Sequence, residues 1–359
     1  MMQSLKELSP DELVALLKAL GQPAFRAKQL RTWLYGPRFA ASYDEMTNLP
    51  AALREKLAAS IAPFSLKVVQ TLTDPQDGTI KWLSELLDGN TIETVLIRVP
   101  QRTTVCVSTQ VGCAVRCIFC ASGRYGLVRD LTKAEIIDQV VLACRELGRR
   151  VDNVVVMGMG EPLMNFDNLT AALDELGSPE TIDLGNRHVT ISTSGIVPGI
   201  RRLAELRRPW NLALSLHAVN DDERARIIPS ENRYPLEEIF AACEYHRELT
   251  NRMLTLEYAL IDGRNDSRAT LERLAAIARR LRAKVNLIPC NPNASNCRSP
   301  GLRRCREALA FLEESGVQAS LRISHGQGIL AACGQLRQAT MRNEEYTASG
   351  YRRLASCEL

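Results

Sequence analysis

The sequence predicts an α/β protein, a helical N-terminal region followed by a parallel sheet or incomplete barrel. Three observations predict it. From Val105 onward, short apolar strands alternate with helical patterns, which is the signature of a parallel sheet covered by helices. Residues 1–60 show helical spacing only. Between these regions, residues 66–99 read as strands separated by turn signals.

The elements follow in order. Ser9 caps a first helix with Pro10 at its first position. Leu13, Leu16, Leu17 and Leu20 give it an apolar face, and Gly21 with Pro23 stops it. A second helix is expected from Ala24 to Tyr35 and a third from Pro50 to Ile61. LKVVQTLTD, GTIKWLSELL and TIETVLIRV then form strands, divided by Pro75-Gln76-Asp77-Gly78 and Asp88-Gly89-Asn90. Later strands are expected at 105–108, 153–157, 188–192, 211–216, 253–259 and 284–288, with helices at 132–148, 235–249 and 267–282 among those between them. Six such units suit an open sheet or incomplete barrel better than a closed eight-stranded one. The stretch 300–359 is expected to cover one edge or end. The expected division is 1–65 helical, 66–98 β-rich and connecting, 99–335 core, and 336–359 tail.

Composition narrows the class. At 359 residues, 45% hydrophobic and 24% charged, the chain reads as a soluble globular protein. It has no apolar run of the roughly 20 residues that a membrane span needs. Its amphipathic, acid-containing start is unlike a secretory signal, so a cytoplasmic location is the expectation. A net charge of +4 does not by itself identify a nucleic-acid binder. Arginine pairs recur at Arg149-Arg150, Arg201-Arg202, Arg207-Arg208, Arg279-Arg280, Arg303-Arg304 and Arg352-Arg353. They read either as solvated helix faces with acidic partners or as phosphate contacts. Eleven cysteines, an odd number, argue against a disulfide framework and for metal ligands or reactive thiols.

The sharpest motif is VGCAVRCIFCASG, which sets Cys113, Cys117 and Cys120 in a Cys-x3-Cys-x2-Cys pattern. Thiolates suit iron–sulfur clusters and zinc. Three thiolates on a cubane cluster leave one iron open to a small molecule. A zinc site would need a distant fourth ligand, for which Cys290, Cys297, Cys305 and His217 are candidates. Three packed thiols are the bland reading. Other polar residues fall at the carboxyl ends of strands, where parallel α/β folds collect their chemistry. They are Gly160 and Glu161 after 153–157, Ser192, the Ser215-Leu216-His217 run, and Asn291. Glu161 is suited to receive an ammonium group. Each is also an ordinary turn or cap residue.

Several segments together make the chain resemble the RlmN-type RNA adenine methyltransferases, whose sister group is the Cfr-type enzymes. They are FRAKQLRTWLY, DEMTNLP, IETVLI, CVSTQVGCAVRCIFCASG, GMGEPLMNF, VTISTSGIVPGI, LALSLHA and AACGQL. The resemblance covers nearly the whole chain. It implies a partial (β/α)6 radical S-adenosylmethionine (SAM) barrel behind an N-terminal helical domain of RNA-binding character. It implies a [4Fe–4S] cluster on Cys113, Cys117 and Cys120, and two SAM molecules per turnover. SAM would be held by Gly160, Glu161, Ser192, Ser215, Leu216, His217 and Asn291. Cys333 would first be methylated and then, as a carbon radical, attack an adenine ring carbon and form a protein–RNA link. Cys106 would help release the product by pairing with Cys333, and Glu93 would accept the ring proton. The implied substrates are 23S ribosomal RNA and transfer RNA, methylated at carbon 2 of an adenosine. An electron donor such as flavodoxin, no membrane and a monomeric state complete the expectation. Alternatives are carbon 8 as the target, or a non-catalytic, zinc-containing RNA-binding protein. The chain departs from the family pattern at Gly328, where an acid is usual, at Cys290, where tryptophan is usual, and around Cys297 to Cys305.

Overall fold

The computed structural model describes residues 3–124, 126–230, 233–291 and 297–336. The expected tail lies outside the described residues from 337 onward, as does Arg352-Arg353.

The chain opens with β1 (Gln3–Ser4), a 3-10 turn and α1 (Pro10–Ala19). The Ser9 hydroxyl accepts the Glu12 N–H, and the Glu12 carboxylate accepts the Ser9 N–H, which closes a capping box at the expected place. Next come α2 (Phe25–Tyr35) and α3 (Ala51–Ala58). The third helix is shorter than expected, because Ile61 belongs to β2 (Ile61–Ala62), which pairs in parallel with β1. That long-range pairing has no local sequence signal.

Strands β3 (Leu66–Thr73), β4 (Ile80–Leu86), β5 (Thr91–Val99) and β6 (Arg102–Cys106) form an antiparallel meander. The strand expected at 105–108 therefore starts earlier and ends at Cys106, since Arg102 pairs with Val99 across a tight turn at Pro100-Gln101. A separate hairpin follows, made of β7 (Gln110–Gly112) and β8 (Leu127–Asp130), which the sequence reading missed. The alternating part comprises α4 (Lys133–Leu147), β9 (Asn153–Val156), α5 (Phe166–Gly177), β10 (Val189–Thr193), α6 (Val197–Glu205) and β11 (Asn211–Ser215). It continues through α7 (Asp221–Ile227), α8 (Leu236–Thr250), β12 (Thr255–Leu260), α9 (Arg268–Leu281), β13 (Lys284–Pro289), α10 (Gly301–Glu314) and β14 (Ala319–Leu321).

Ten strands share one sheet in the order β14-β13-β12-β11-β10-β9-β6-β5-β4-β3. All neighbours from β6 to β14 are parallel, giving a partial barrel whose antiparallel edge is the meander. Strand interiors such as Val154, Ile191, Leu214, Leu256 and Val285 are buried, as strands covered on both faces require. The region 300–321 does cover an edge, and it also adds β14 as a further parallel strand.

The helical region is pinned to the barrel by a buried ion pair. Lys6 Nζ lies 2.6 Å from Asp138 Oδ1 on α4 and donates to the Pro63 carbonyl at 3.0 Å. Asp138 Oδ2 accepts the N–H and the hydroxyl of Ser65, both at 2.6 Å. Most arginine pairs meet acids on neighbouring elements: Arg149 with Asp152, Arg202 with Asp167, Arg208 with Asp174, and Arg280 with Glu237 and Glu244. These support the solvated-face reading of those positions. Among the described residues, no helix is long and apolar enough to cross a membrane.

Candidate active site

The triad loop hangs between β7 and β8. A Cβ at Gly112 would lie 2.0 Å from the Gly126 carbonyl oxygen, and Gly112 has φ +80°, so only glycine allows this closure. The Cys113 N–H donates to that same carbonyl at 3.0 Å, and the Cys120 N–H turns back onto the Cys117 carbonyl. Cys113, Cys117 and Cys120 are free thiols lining one cavity at the carboxyl ends of the parallel strands. Burial pushes Cys113 up to about 12 and Cys117 and Cys120 upward too; mutual repulsion adds to the shift at Cys113 and Cys117. Such thiols ionise when a cationic metal centre takes their protons' place.

The donor set fits a cubane cluster, which takes each thiolate on a different iron. Among the described residues, no three His, Cys, Asp or Glu side chains converge on a single ion. Nearby, the Arg224 guanidinium is held against the Ser194 carbonyl. Burial lowers it to about 10, and it faces Cys117 electrostatically, a placement suited to an anionic cluster.

The same cavity wall includes Gly160, Glu161, Ser192, Ser215, His217 and Asn291. Gly160 has φ +107°, and a Cβ there would meet the Gln110 side chain at 2.7 Å. Glu161 is buried, which raises its pKa. Its carboxylate accepts the N–H groups of Leu163 at 3.1 Å and Ser194 at 2.7 Å. The Ser192 and Ser215 hydroxyls are 3.2 Å apart. His217 sits at φ +55° with Nδ1 accepting the Ala259 N–H at 2.9 Å. Burial, aided by Arg224, lowers its pKa to about 3, so the ring is neutral. Leu216 does not join the wall; its side chain is fully buried and its N–H donates to the Glu257 carbonyl. Cys290 packs in a small apolar cluster with Val115, Ile228 and Cys297 behind the triad loop.

Cys333 lies on a loop that reaches back over the cavity. Cys106 and Cys333 line a chamber of about 50 Å³ together with Val95, Ile97, Met157 and Arg322. Cys120, Cys333 and Arg322 belong to both this chamber and the main cavity. Burial raises the Cys106 thiol to about 12, and Cys333 adds to the shift. The Asn291 amide donates to the Cys333 carbonyl at 3.0 Å, and the Ala121 N–H donates to the Gly334 carbonyl at 2.7 Å.

The other side of the loop is held by the β3–β4 hairpin. Asp77 accepts the Gly326 N–H at 2.9 Å, and Asp74 accepts the Gly328 N–H at 3.1 Å. Lys81 donates to the Leu330 carbonyl at 3.1 Å and lies 3.0 Å from Glu93 Oε1. Glu93 is fully buried, on the sheet face it shares with Val95 and Cys106, which are register partners. It does not itself line the chamber.

Sequence reading missed Lys81, Asn265, Glu257 and Arg322. A lysine in IKWLSEL and an acid in TLEYAL were the available signals, since each interrupts an apolar strand. Asn265, fully buried, donates to the His217 and Ala259 carbonyls and fixes the left-handed turn at His217.

Comparisons place these features among known proteins. Residues 107–275 match the Radical SAM superfamily, and residues 3–62 match the ribosomal RNA large subunit methyltransferase N-terminal domain. A relative from Symbiobacterium thermophilum, named "probable dual-specificity RNA methyltransferase RlmN", is 45% identical over 344 residues, 95% of this chain and 92% of the relative. A relative of the same name from Thermotoga sp. is 42% identical over 94% of this chain and 98% of its own length. The crystal structure of a radical SAM methyltransferase from Sphaerobacter thermophilus superposes with a TM-score of 0.89 at 46% identity, covering 93% of this chain and 99% of that one. The chain belongs to the RlmN-type RNA methyltransferases of the radical SAM superfamily, a membership that implies a [4Fe–4S] cluster and SAM as its cofactors.

Proposed function

We propose that this protein methylates carbon 2 of an adenosine in 23S ribosomal RNA and in transfer RNA, by way of a methylated Cys333 and a transient protein–RNA link. The observation that carries the reading is the chamber shared by Cys106 and Cys333, joined to the triad cavity through Cys120 and Arg322. In this reading Cys113, Cys117 and Cys120 hold the cluster. Gly160, Glu161, Ser192, Ser215, His217 and Asn291 bind SAM, two molecules of which are used per turnover, while Leu216 sits behind the wall and spaces Ser215 from His217. When bound, these cofactors supply a methyl group and the one-electron cleavage that generates a carbon radical.

The chain's own residues do the rest. Cys333 carries the methyl group, and Asn291 fixes its backbone. Cys106 stands within the same chamber; as a thiolate it attacks the sulfur that links Cys333 to the product carbon, an S–S bond forms as that S–C bond breaks, and the electron pair leaves on the carbon, which takes a proton to become the methyl group. Glu93 takes the ring proton from its place beside Val95, one strand from Cys106. An electron donor of the flavodoxin kind and a monomeric, cytoplasmic enzyme complete the proposal.

The test is Cys106→Ala. With cluster and SAM supplied, it should retain cluster absorbance and accumulate a covalent protein–RNA adduct, visible as a shifted band on a denaturing gel. Normal turnover by this variant would overturn the role of Cys106. Mass spectrometry of nucleosides from the wild-type reaction should show 2-methyladenosine; 8-methyladenosine would overturn the choice of carbon.

A further inference from the structure

Arg224 is a buried cation for which the pairings above provide no anion. It is 1% exposed, and an arginine buried so deeply is ordinarily paired with an acid. Even exposed arginines of this chain, such as Arg202, Arg208 and Arg280, meet a carboxylate. Arg224 makes no ion pair among the described residues. Its guanidinium donates to the Ser194 carbonyl, and its Nε is buried without an acceptor. Glu161 stands on the other side of Ser194, whose N–H it accepts at 2.7 Å.

The fold sets this cation against the triad loop. Arg224 lies one turn before Ile227 and Ile228 on α7, and the Ile228 N–H closes that turn on the Arg224 carbonyl at 2.7 Å. Those two isoleucines share an apolar cluster with Val115, Cys117 and Ile118. The Ile118 N–H donates to the Ile227 carbonyl at 3.0 Å, so the end of α7 and the triad loop are bonded backbone to backbone. The guanidinium is caught by Ser194, which belongs to the wall of the main cavity. The side chain thus runs between the triad loop and the turn after β10. Among the charges that act on it, that of Cys117 is the strongest.

A buried charge is costly unless an opposite charge offsets it. Three thiolates make a cubane cluster anionic, and an electron added to it increases that charge; net charge and its surroundings set the potential of such clusters. We propose that Arg224 is the fixed counter-ion of the cluster on Cys113, Cys117 and Cys120, and that its charge raises the potential at which the cluster accepts an electron. Arg224 lines neither the main cavity nor the chamber of Cys106, so it acts on the cluster through its field and not as a ligand of SAM. The assignment rests on the cluster site of the function proposed above.

The test is a redox titration of the anaerobic, cluster-loaded protein, with the reduced cluster counted by electron paramagnetic resonance. Arg224→Met removes the charge and keeps much of the length. At a fixed potential near the wild-type midpoint, its ratio of reduced to oxidised cluster should fall about tenfold or more, equivalent to about 59 mV for one electron. A unit charge acting over about 10 Å at an interior dielectric of about 20 gives an effect of that order. Arg224→Lys should recover most of the loss, and iron and sulfide content checks that both variants carry the cluster. A wild-type potential in fully loaded Arg224→Met overturns the assignment. So does a potential in Arg224→Lys as low as in Arg224→Met, since shape and not charge would then matter. Should Arg224→Met take up no cluster, Arg224→Lys decides: full loading upholds the counter-ion, and failure to load overturns it. All of these results leave the proposed function standing. Wild-type protein that takes up no cluster defeats that function, and this assignment falls with it.

Discussion

Two buried lysine–carboxylate pairs hold this molecule together, and they hold different things. At the joint between the helical region and the barrel, Lys6 meets Asp138 at 2.6 Å, with both side chains 0% exposed. Beneath the Cys333 loop, Lys81 meets Glu93 at 3.0 Å, with side chains 2% and 0% exposed. The chemistry is alike, but the other partners differ. Lys6 and Asp138 are also satisfied by Pro63 and Ser65, in the segment that leads into β3. Lys81 also reaches the carbonyl of Leu330, three residues from the cysteine proposed to carry the methyl group. The first pair locks two packed bodies. The second joins a proposed proton acceptor to a loop, so the state of one is felt by the other.

Removing either ammonium should produce the largest effects. Taking one partner from a buried pair costs about 3–5 kcal/mol, because a buried charge is left behind. Lys6→Met and Lys81→Met should both lower the urea unfolding midpoint by amounts of that order. The comparison is sharpened by what happens at Cys333. Only Lys81→Met should speed alkylation of Cys333 in the folded protein, by tenfold or so, as one anchor of its loop is lost. Equal alkylation rates in the two variants would break the distinction. Adding Asp138→Asn to Lys6→Met should recover much of the lost stability, since neither charge then remains. Glu93→Gln added to Lys81→Met should do likewise, yet it should not restore methylation, because the proposed base is gone.

The two regions also differ in how legible they were. The triad, the Gly160-Glu161 turn and the strand-end residues Ser192, Ser215 and His217 arise from local strand–turn units, where spacing and period carry the information. The parallel strands from β9 to β13 were accordingly placed within a residue or two, whereas β6 starts three residues before its expected place and β14 was not foreseen. The dock of the Cys333 loop was not readable. Asp74, Asp77 and Lys81 look like turn and strand residues, and their partners Gly326, Gly328 and Leu330 are some 250 positions away. Gly328 departs from the family pattern, and the structure gives a reason for its small size here. A Cβ at that position would lie 3.2 Å from Asp74 Oδ2, the oxygen that its amide bonds. Glu93 was reached only through family resemblance, since an acid in a buried strand has no period of its own. The pairing of β1 with β2 was hidden for the same reason as the loop dock.

Acid offers a second way to separate the regions. All four histidines lie in the barrel half, at 188, 217, 246 and 325. Burial lowers His217 to about 3 and His246 to about 4. Below the ordinary histidine pKa of about 6.5, the unfolded chain binds protons that the folded chain refuses, so stability falls as pH falls. The loss begins near 6.5 and ends at each folded value. Between pH 6.5 and 5 it amounts to about 2 kcal/mol for each histidine. His246→Gln should remove one such contribution, so its unfolding midpoint should decline less from pH 7 to 5 than that of wild type. The Lys6 joint has no histidine, and removing both of its charges, in Lys6→Met with Asp138→Asn, should leave the pH slope unchanged. A wild-type midpoint that is flat over this range would count against neutral buried imidazoles.

The smallest effect concerns the far side of the Cys333 loop. Asn291 donates a neutral hydrogen bond to the Cys333 carbonyl at 3.0 Å, where Lys81 uses a buried charge on the near side. A neutral bond of this kind contributes about 1 kcal/mol. Asn291→Ala should thus raise the rate of Cys333 alkylation about fivefold, less than Lys81→Met does, with no change at Cys243, which is buried in α8. Quantitative peptide mass spectrometry after timed labelling reads both cysteines in one experiment. A rate in Asn291→Ala as high as in Lys81→Met would mean that the loop depends equally on its two sides. The charged anchor under Leu330 would then hold nothing that the amide at Cys333 does not.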